Sequence, residues 1–284
     1  MFNYDNAFSR NIGWVTPAEQ AIISTKKIAI AGMGGVGGEH LTTLARLGFQ
    51  HFHIADFDEF EEHNFNRQNG AFTDTINQPK AEVMADITSK INPQAHIHNF
   101  AQGVTAENVD DFLLGVDVYV DSLDFFAMEA REMIFRACTQ KSIPIVTAAP
   151  LGMGCALLTF LPGKMDFDDY FGFSSSHLKS DKLLKFMVGL APSLLQTKYL
   201  VMPEKADFHS ETGPSLAVAT KLCAGIAQST VLKIVLQRGE IVCAPKGFHV
   251  DAYLNKAVTT YCPFGYKGWL QRLKLIIAKK VVLK

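Results

Sequence analysis

Along the first half of the chain, segments whose hydrophobic pattern is typical of a strand alternate with segments whose pattern is typical of a helix. Strands are predicted near 27–31, 51–55, 95–100, 117–121 and 143–147. Segments with apolar residues at helical spacing lie between them, near 36–47, 79–91, 105–114 and 126–141. This strand–helix rhythm predicts the α/β class, with a Rossmann-like, doubly wound and mainly parallel sheet.

The rhythm changes after residue 150. A strand is predicted over 154–161, and an irregular segment follows over 163–213 with one short helix around 181–190. A segment of this length inside a compact domain is usually functional or partly mobile. A long apolar helix is predicted over 214–236, then two short strands near 240–244 and 247–252. The predicted organisation is a first domain over 1–162, an irregular crossover or insertion over 163–213, and an extension over 214–284 packed on the same domain.

A glycine-rich turn follows the first predicted strand. Gly32, Gly34 and Gly37 fit the pattern G-x-G-x-x-G, with Gly35 inside it. Such glycines allow a tight turn, a close approach of phosphate to backbone N–H groups, and close packing of helix on strand. Asp56 ends the next strand, where an acid can hold a ribose hydroxyl. The turn predicts a nucleotide site, and by itself it fits NAD or FAD as well as ATP.

Composition narrows the class of protein. The 284 residues are 48% hydrophobic, and the formal net charge of −1 argues against bulk binding to nucleic acid. No run of about 18 apolar residues predicts a transmembrane helix, and the N-terminus lacks the apolar core of a signal peptide. The five cysteines include no C-x-x-C pair, so we expect reduced thiols, a cytoplasmic location and no zinc.

The C-terminal segment 267–284 is basic and amphipathic. It carries six Lys or Arg residues and no acid, and its apolar side chains recur at helical spacing. One interpretation is a helix that makes a weak contact with a membrane surface or an anionic partner. The other, which we favour about two to one, is an ordinary terminal helix docked on its own domain.

Three further polar motifs accompany the glycine turn. They are Asn64-Phe65-Asn66-Arg67-Gln68, Lys80 at the start of a predicted helix, and Asp121-Ser122-Leu123-Asp124. An Arg, a Lys and an Asp near the ends of βα units suit triphosphate chemistry with a metal better than hydride transfer. Taken singly, Arg67 fits a surface ion pair, Lys80 a solvated helix position, and Asp124 the N-cap of the following helix. Asp58 fits a solvated acidic turn or a contact with nucleotide or metal.

In order and spacing, these motifs resemble the ubiquitin-activating-enzyme-like superfamily, which includes the ThiF, MoeB and HesA adenylyltransferases. The resemblance covers roughly residues 8–160. It rests on Arg10, the glycine turn, Asp56 with Asp58, the Asn64 to Gln68 motif, Lys80, Ile91-Asn92-Pro93, and the Asp121 to Asp124 motif. The segment from Lys80 to Pro93 looks most like the tRNA-modifying dehydratase branch.

The resemblance implies an enzyme that uses ATP and Mg²⁺ to convert a carboxylate into an acyl-adenylate. Arg67 and Lys80 would neutralise the phosphates, Asp124 would hold Mg²⁺, and Asp56 would hold the ribose. Arg10 would come from the other subunit of a homodimer. The other residues implied to bind the nucleotide are Gly32, Gly34, Gly35, Gly37, Asp58, Asn64 and Gln68. The carboxylate would be the C-terminus of a ubiquitin-like carrier protein, or a small or tRNA-linked acid.

The chain departs from the family pattern in two ways. It lacks the two C-x-x-C pairs of zinc-containing members, and segment 163–213 contains no cysteine for a thioester. We therefore expect adenylation without an enzyme thioester, with Cys223 buried and Cys262 the one exposed thiol. His177 and His209 lie in that segment without an assigned role. The alternatives are an NAD(P)-dependent oxidoreductase on the same turn, and an inactive scaffold subunit of an activating complex.

Overall fold

One eight-stranded sheet organises the chain. The computed structural model describes residues 2–175, 178–206 and 210–282, with side chains up to residue 280. The strands are β1 Lys27–Ala31, β2 His51–Ala55, β3 His96–Phe100, β4 Val118–Asp121, β5 Ile145–Leu151, β6 Gly154–Phe160, β7 Lys246–Asp251 and β8 Lys256–Tyr261. Their order is β3-β2-β1-β4-β5-β6-β7-β8. The first five are mutually parallel and the last three antiparallel, which confirms the predicted fold class.

Helices cover both faces of the sheet. They are α1 Tyr4–Ala7, α2 Pro17–Thr25, α3 Gly37–Leu47, α4 Lys80–Ile91, α5 Val109–Phe112, α6 Met128–Gln140, α7 Phe167–Phe171, α8 Lys179–Leu190, α9 Ala217–Leu236 and α10 Trp269–Val282. Because side chains alternate along a strand, Ile28 and Ile30 face one layer and Ala29 and Ala31 the other. The first layer contains α2, α3, α4 and α9, and the second contains α5 to α8 and α10.

Three predicted elements differ from the structure. Only α5 is helical within 105–114, and the turns on either side of it contain Gly103 and Gly115 at positive φ. Segment 240–244 is not a strand, and the second strand of the extension is instead β8. Segment 163–213 contains α7 as well as α8, so it is less irregular than predicted.

Helix α9 is half-buried in the first layer. By length and composition it is apolar enough to cross a membrane. It nevertheless packs on α3, β5 and β6, and half of its most apolar window is buried inside the protein. These contacts identify it as a core helix. Its other side remains accessible, with Val218 exposed and Leu222 and Ile226 partly buried.

Candidate nucleotide site

The glycine turn joins β1 to α3 at the carboxyl end of the parallel strands. Gly32 has φ +92°, and a Cβ atom there would overlap the Ser122 carbonyl oxygen. A Cβ atom on Gly37 would overlap the Gly32 carbonyl oxygen in the same way. Both positions therefore require glycine. The turn leads into the N-terminus of α3, where free backbone N–H groups favour an anion.

Asp56 is fixed against this turn. It follows β2, which pairs with β1, and its Oδ2 accepts a hydrogen bond from the Met33 backbone N–H at 2.6 Å. Its Oδ1 accepts from the Asp58 N–H at 2.8 Å. Burial raises the pKa of this carboxyl above its ordinary value, while the two backbone bonds and Lys80 act in the opposite direction. The carboxylate is therefore held beside the glycine turn, and its role as a ribose ligand stays a prediction.

Lys80 is a buried cation. It is only 7% exposed, and its Nζ lies 3.1 Å from Asp58 Oδ2. The interpretation as a solvated helix residue is therefore wrong. The Asp58 side chain is more than half exposed, so this ion pair opens toward solvent at one end. A phosphate oxygen can replace or join the Asp58 carboxylate as the partner of the ammonium group.

The motif from Asn64 to Gln68 lies across the glycine turn. Arg67 Cγ is 3.8 Å, and Gln68 Nε2 3.6 Å, from the positions that Cβ atoms on Gly35 and Gly34 would take. Gln68 is buried, and its Oε1 has no hydrogen-bond partner among the described residues. An orphaned buried acceptor at this position favours a donor from a ligand, such as a nucleotide hydroxyl or amino group.

Asn64 and Arg67 also hold this loop together. The buried Asn64 side chain accepts from the Glu61 N–H at 3.0 Å, so the observed role of its carbonyl oxygen is to shape the loop. Arg67 Nη1 donates to the His63 carbonyl at 3.0 Å and to Asn66 Oδ1 at 2.8 Å. Burial lowers the pKa of the Arg67 guanidinium, and Asp124 acts to raise it.

Asp124 lies near Arg67, on the loop after β4. It is exposed, and its Oδ1 accepts from the Phe126 N–H at 2.9 Å. Helix α6 begins only at Met128, so Asp124 stabilises a turn instead of acting as the helix N-cap. Its electrostatic interaction with Arg67 connects this loop to the far side of the glycine turn.

Sequence reasoning missed Arg131, the residue that organises the Asp124 loop. Its Nε donates to Asp121 Oδ2 at 2.9 Å, and both side chains are 2% exposed. Its Nη2 donates to the carbonyls of Leu123 and Asp124, each at 2.9 Å. A lone arginine in a predicted helix gives no signal of burial. The available signal was Asp121, an acid at the end of an apolar strand that requires a partner.

The structure does not bring Arg10 to the other site residues. It lies in a 3₁₀ turn, Ser9–Asn11, and the neighbouring Asn11 side chain donates to the Leu47 carbonyl at 3.2 Å. That carbonyl is at the C-terminal end of α3, and the glycine turn is at the other end. Eleven helical residues span about 16 Å. The N-terminal segment is also anchored by Tyr4, whose hydroxyl donates to the Gly48 carbonyl oxygen.

The C-terminal half completes the wall of the site. The Cγ2 atom of Thr220, in the first turn of α9, lies 3.3 Å from the position of a Cβ atom on Gly35. Asn66 donates to the Ser215 carbonyl at 2.9 Å, and Lys221 forms an ion pair with Glu39 of α3 at 2.7 Å. The start of α9 is therefore in direct contact with the predicted phosphate turn, which no sequence motif indicated.

The cysteines are poorly placed for thiolate chemistry. Cys138, Cys155, Cys223 and Cys262 are buried, and Cys243 is partly buried. Burial raises the pKa of the Cys138, Cys223, Cys243 and Cys262 thiols above the ordinary value. The expectation that Cys262 is exposed is wrong, because the residue packs into the second core layer. His177 and His209 lie outside the described residues.

The acidic residues fit Mg²⁺ held mainly by phosphates. Within the described part of the chain, no group of three or more His, Cys, Asp or Glu side chains is arranged to hold a metal ion. Magnesium bound to a nucleotide needs only one or two carboxylates, because phosphate oxygens and water complete its octahedron. Asp124, exposed beside Arg67, is the carboxylate that would serve in this way.

Sequence comparison finds relatives of this chain among known proteins. The profile of the ThiF family matches residues 8–265. A tRNA threonylcarbamoyladenosine dehydratase of Haemophilus influenzae is 29% identical over 151 residues, which cover 53% of this chain and 57% of that protein. The sulfur carrier protein ThiS adenylyltransferase of Escherichia coli is 30% identical over 136 residues, 48% of this chain and 53% of that protein. The matched regions thus span a little over half the length of these relatives.

Solved structures share the fold over most of the chain. Escherichia coli MccB superposes with a TM-score of 0.69 at 19% identity, covering 93% of this chain and 71% of that one. A crystal structure of MccB with ATP gives a TM-score of 0.66 at 19% identity, covering 92% and 72%. At this identity the likeness concerns the fold alone.

Proposed function

Because the chain belongs to the ThiF family, we propose that it is an ATP- and Mg²⁺-dependent adenylyltransferase that activates a carboxylate. One observation carries the proposal. Two cations, Arg67 and the buried Lys80, lie with two carboxylates, Asp56 and Asp124, around one glycine turn. A dinucleotide oxidoreductase would use the glycine turn and Asp56, but it would have no evident role for Arg67, Lys80 and Asp124.

The proposed reaction is a displacement at the α-phosphorus of ATP. A carboxylate oxygen of the substrate forms a bond to this phosphorus, and the bond from it to the bridging oxygen breaks. The products are an acyl-adenylate and pyrophosphate. The charge that develops on the leaving pyrophosphate is neutralised by Arg67 and Lys80, so catalysis consists of positioning and electrostatic stabilisation. Bound Mg²⁺ adds positive charge at the phosphates, and Asp124 is the residue that would hold it.

The relatives favour two classes of carboxylate. One is named for a sulfur carrier protein and another for a tRNA-linked threonylcarbamoyl group. We propose a substrate from these classes: the C-terminus of a small ubiquitin-like carrier protein, or a small or tRNA-linked acid. The raised pKa values of the buried thiols favour direct use of the adenylate, without an enzyme thioester.

We further propose a homodimer formed through the first helical layer. Val218, near the start of α9, is exposed in this layer. Trp14 lies near the other end of α9, where Arg238 donates to the Trp14 carbonyl oxygen at 3.0 Å. Trp14 is 86% exposed, and the nearby Ile12 and Ile22 are also exposed. A second copy would cover these apolar side chains. It would also give Arg10 a route to a nucleotide that it cannot reach in its own subunit.

Nucleotide titration and ATP–pyrophosphate exchange test the proposal. We expect binding of ATP that strengthens with Mg²⁺, and exchange that depends on a candidate carrier protein. Asp124→Asn should abolish the Mg²⁺-dependent gain, because the variant lacks the metal-binding charge. Asp86→Asn, which changes an exposed acid on α4, is the matched control and should behave like the parent protein.

A second pair of variants separates the phosphate site from general surface charge. Arg67→Ala should weaken ATP binding, whereas Arg46→Ala, which removes an exposed arginine from α3, should not. Tight binding of NAD with no response to ATP and Mg²⁺ would contradict the proposal and favour the oxidoreductase alternative. Binding of ATP without exchange, for every carrier tested, would favour the scaffold alternative.

A further inference from the structure

The C-terminal helix α10 docks on its own domain through a side of mixed polarity, which includes the buried Gln271 and the partly buried Leu275. It packs on α8, and Gln271 is 6% exposed in that contact. Lys274 Nζ donates to the Pro192 carbonyl at 2.8 Å, and Lys279 Nζ lies 3.1 Å from Asp181 of α8. The expectation that this segment forms a helix docked on its own domain is thus confirmed for the side that carries Gln271 and Leu275.

Its apolar side faces away from the domain. Trp269 is 72% exposed, and the other exposed apolar residues of the helix are Leu270, Leu273, Ile276 and Ile277. At about 100° per residue these five side chains span an arc of about 120°, and Gln271 projects from the opposite side. A terminal helix that only covered its own domain would turn this arc inward. We call these five side chains the outer face.

The charges beside the outer face have one sign. Lys267 and Arg272 are exposed beside it, and the exposed Lys280 projects within the same arc, one turn after Ile276. From Ala252 to Lys284 the sequence contains seven Lys or Arg residues and no Asp or Glu, although the whole chain has a net charge of −1. An apolar arc with cations around it matches a surface that has an apolar interior beneath anionic groups.

We propose that the outer face binds the surface of an anionic lipid bilayer. In this arrangement Trp269 and the four aliphatic side chains enter the boundary between headgroups and acyl chains, while the cations contact lipid phosphates. A second copy of the chain fits less well, because two such faces would bring like charges together. The apolar face proposed for the homodimer belongs to the other helical layer, so both contacts can form in one assembly.

Tryptophan fluorescence tests the proposal directly. The chain has only two tryptophans, so Trp14→Phe leaves Trp269 as the sole reporter. Adding vesicles of phosphatidylcholine with phosphatidylglycerol should shift its emission to the blue, and vesicles of phosphatidylcholine alone should shift it less. The shift should weaken as salt is added, because screening reduces the attraction between the cations and lipid phosphate.

Co-sedimentation of the full chain with the same vesicles supplies the mutational test. Leu273→Asp combined with Ile277→Asp should weaken binding at least about tenfold, because two negatively charged groups replace apolar ones that enter the bilayer boundary in the proposed arrangement. Leu114→Asp, at an exposed leucine in the turn after α5, should leave binding unchanged. Both leucines and Ile277 are about half-exposed or more, so circular dichroism should show folded variants.

Two results would overturn the proposal. The first is absence of binding to anionic vesicles at low salt. The second is equal binding by the double variant and the Leu114→Asp control. If the double variant instead loses a dimer seen by sedimentation velocity without vesicles, the outer face contacts a second copy and the lipid assignment is wrong. The readouts do not involve nucleotide, so they are independent of the proposed adenylyltransferase activity.

Discussion

Replacing Arg131 of α6 with methionine should destabilise the protein more than any single substitution within the loop that contains Asp124. Arg131 is 2% exposed and donates to the Asp121 carboxylate and to three carbonyl oxygens, those of Leu123, Asp124 and Phe125. Its guanidinium also lies 4.4 Å from the centre of the Phe186 ring. The side chain is therefore the common partner of the whole loop.

The magnitude follows from the charge that the substitution leaves behind. Removing one member of a buried ion pair costs about 3 to 5 kcal/mol, because the other charge remains buried. Thr147 still donates to Asp121 at 2.9 Å, which reduces the penalty, whereas the three carbonyls lose a donor, which increases it. We expect a loss of about 4 kcal/mol in the free energy of unfolding, out of the roughly 5 to 15 kcal/mol typical of a domain.

Chemical denaturation measures this loss, and a double-mutant cycle tests its cause. Arg131→Met and Asp121→Asn should each destabilise the protein, and the double variant should lose less than their sum by about 2 kcal/mol. Arg136→Met is the matched control on the same helix. Arg136 is exposed and pairs with Glu132, so its removal should cost less than about 1 kcal/mol. A coupling below about 0.5 kcal/mol between positions 121 and 131 would refute the reasoning.

Two further predictions concern the dimer and pH. If Arg10 acts across subunits, mixing inactive Arg10→Ala and Asp124→Ala chains should restore part of the exchange activity, because one site of each mixed dimer is intact; no recovery in verified mixed dimers would exclude this. Burial lowers the pKa of His40 to about 3. In the unfolded chain, His40 binds its proton near pH 6.5. The free energy of unfolding is therefore unaffected by His40 above pH 6.5, and it decreases as the pH falls from 6.5 toward 3. The loss should be about 2 kcal/mol by pH 5, and a denaturation series with His40→Asn should show a smaller loss.

The sequence predicted the geometry of the glycine turn well, because the backbone there limits the choice of residue. Gly32 and Gly37 have no room for a Cβ atom, and Asp56 must lie where β2 ends beside the turn. Such positions are visible in a sequence because only one residue type satisfies them. Lys80 was identified as a site residue through its motif, although its burial was not evident from the residue alone.

The elements that were missed depend on tertiary contacts. Strand β8 is at the edge of the sheet and mostly exposed, so it lacks the apolar pattern that reveals a buried strand. Segment 240–244 has that pattern but forms no ladder, although the Ala244 N–H donates to the Thr159 carbonyl at 2.8 Å. The burial of Arg131 and the contact of Thr220 with the glycine turn join residues that are far apart in sequence or on different elements. Neither was visible in a local pattern.

The position of α9 determines when the protein can finish folding during its synthesis. Its buried residues Cys223, Ala227 and Val231 share a core with Val146 of β5 and Leu157 of β6, which precede it by more than sixty residues. On the ribosome, that face of the sheet stays uncovered until α9 has emerged. The glycine turn lies near the N-terminus of the chain, yet it gains its contact with Thr220 only after α9 has emerged. Nascent chains that end before α9 therefore carry an exposed apolar surface, the kind of surface that chaperones shield.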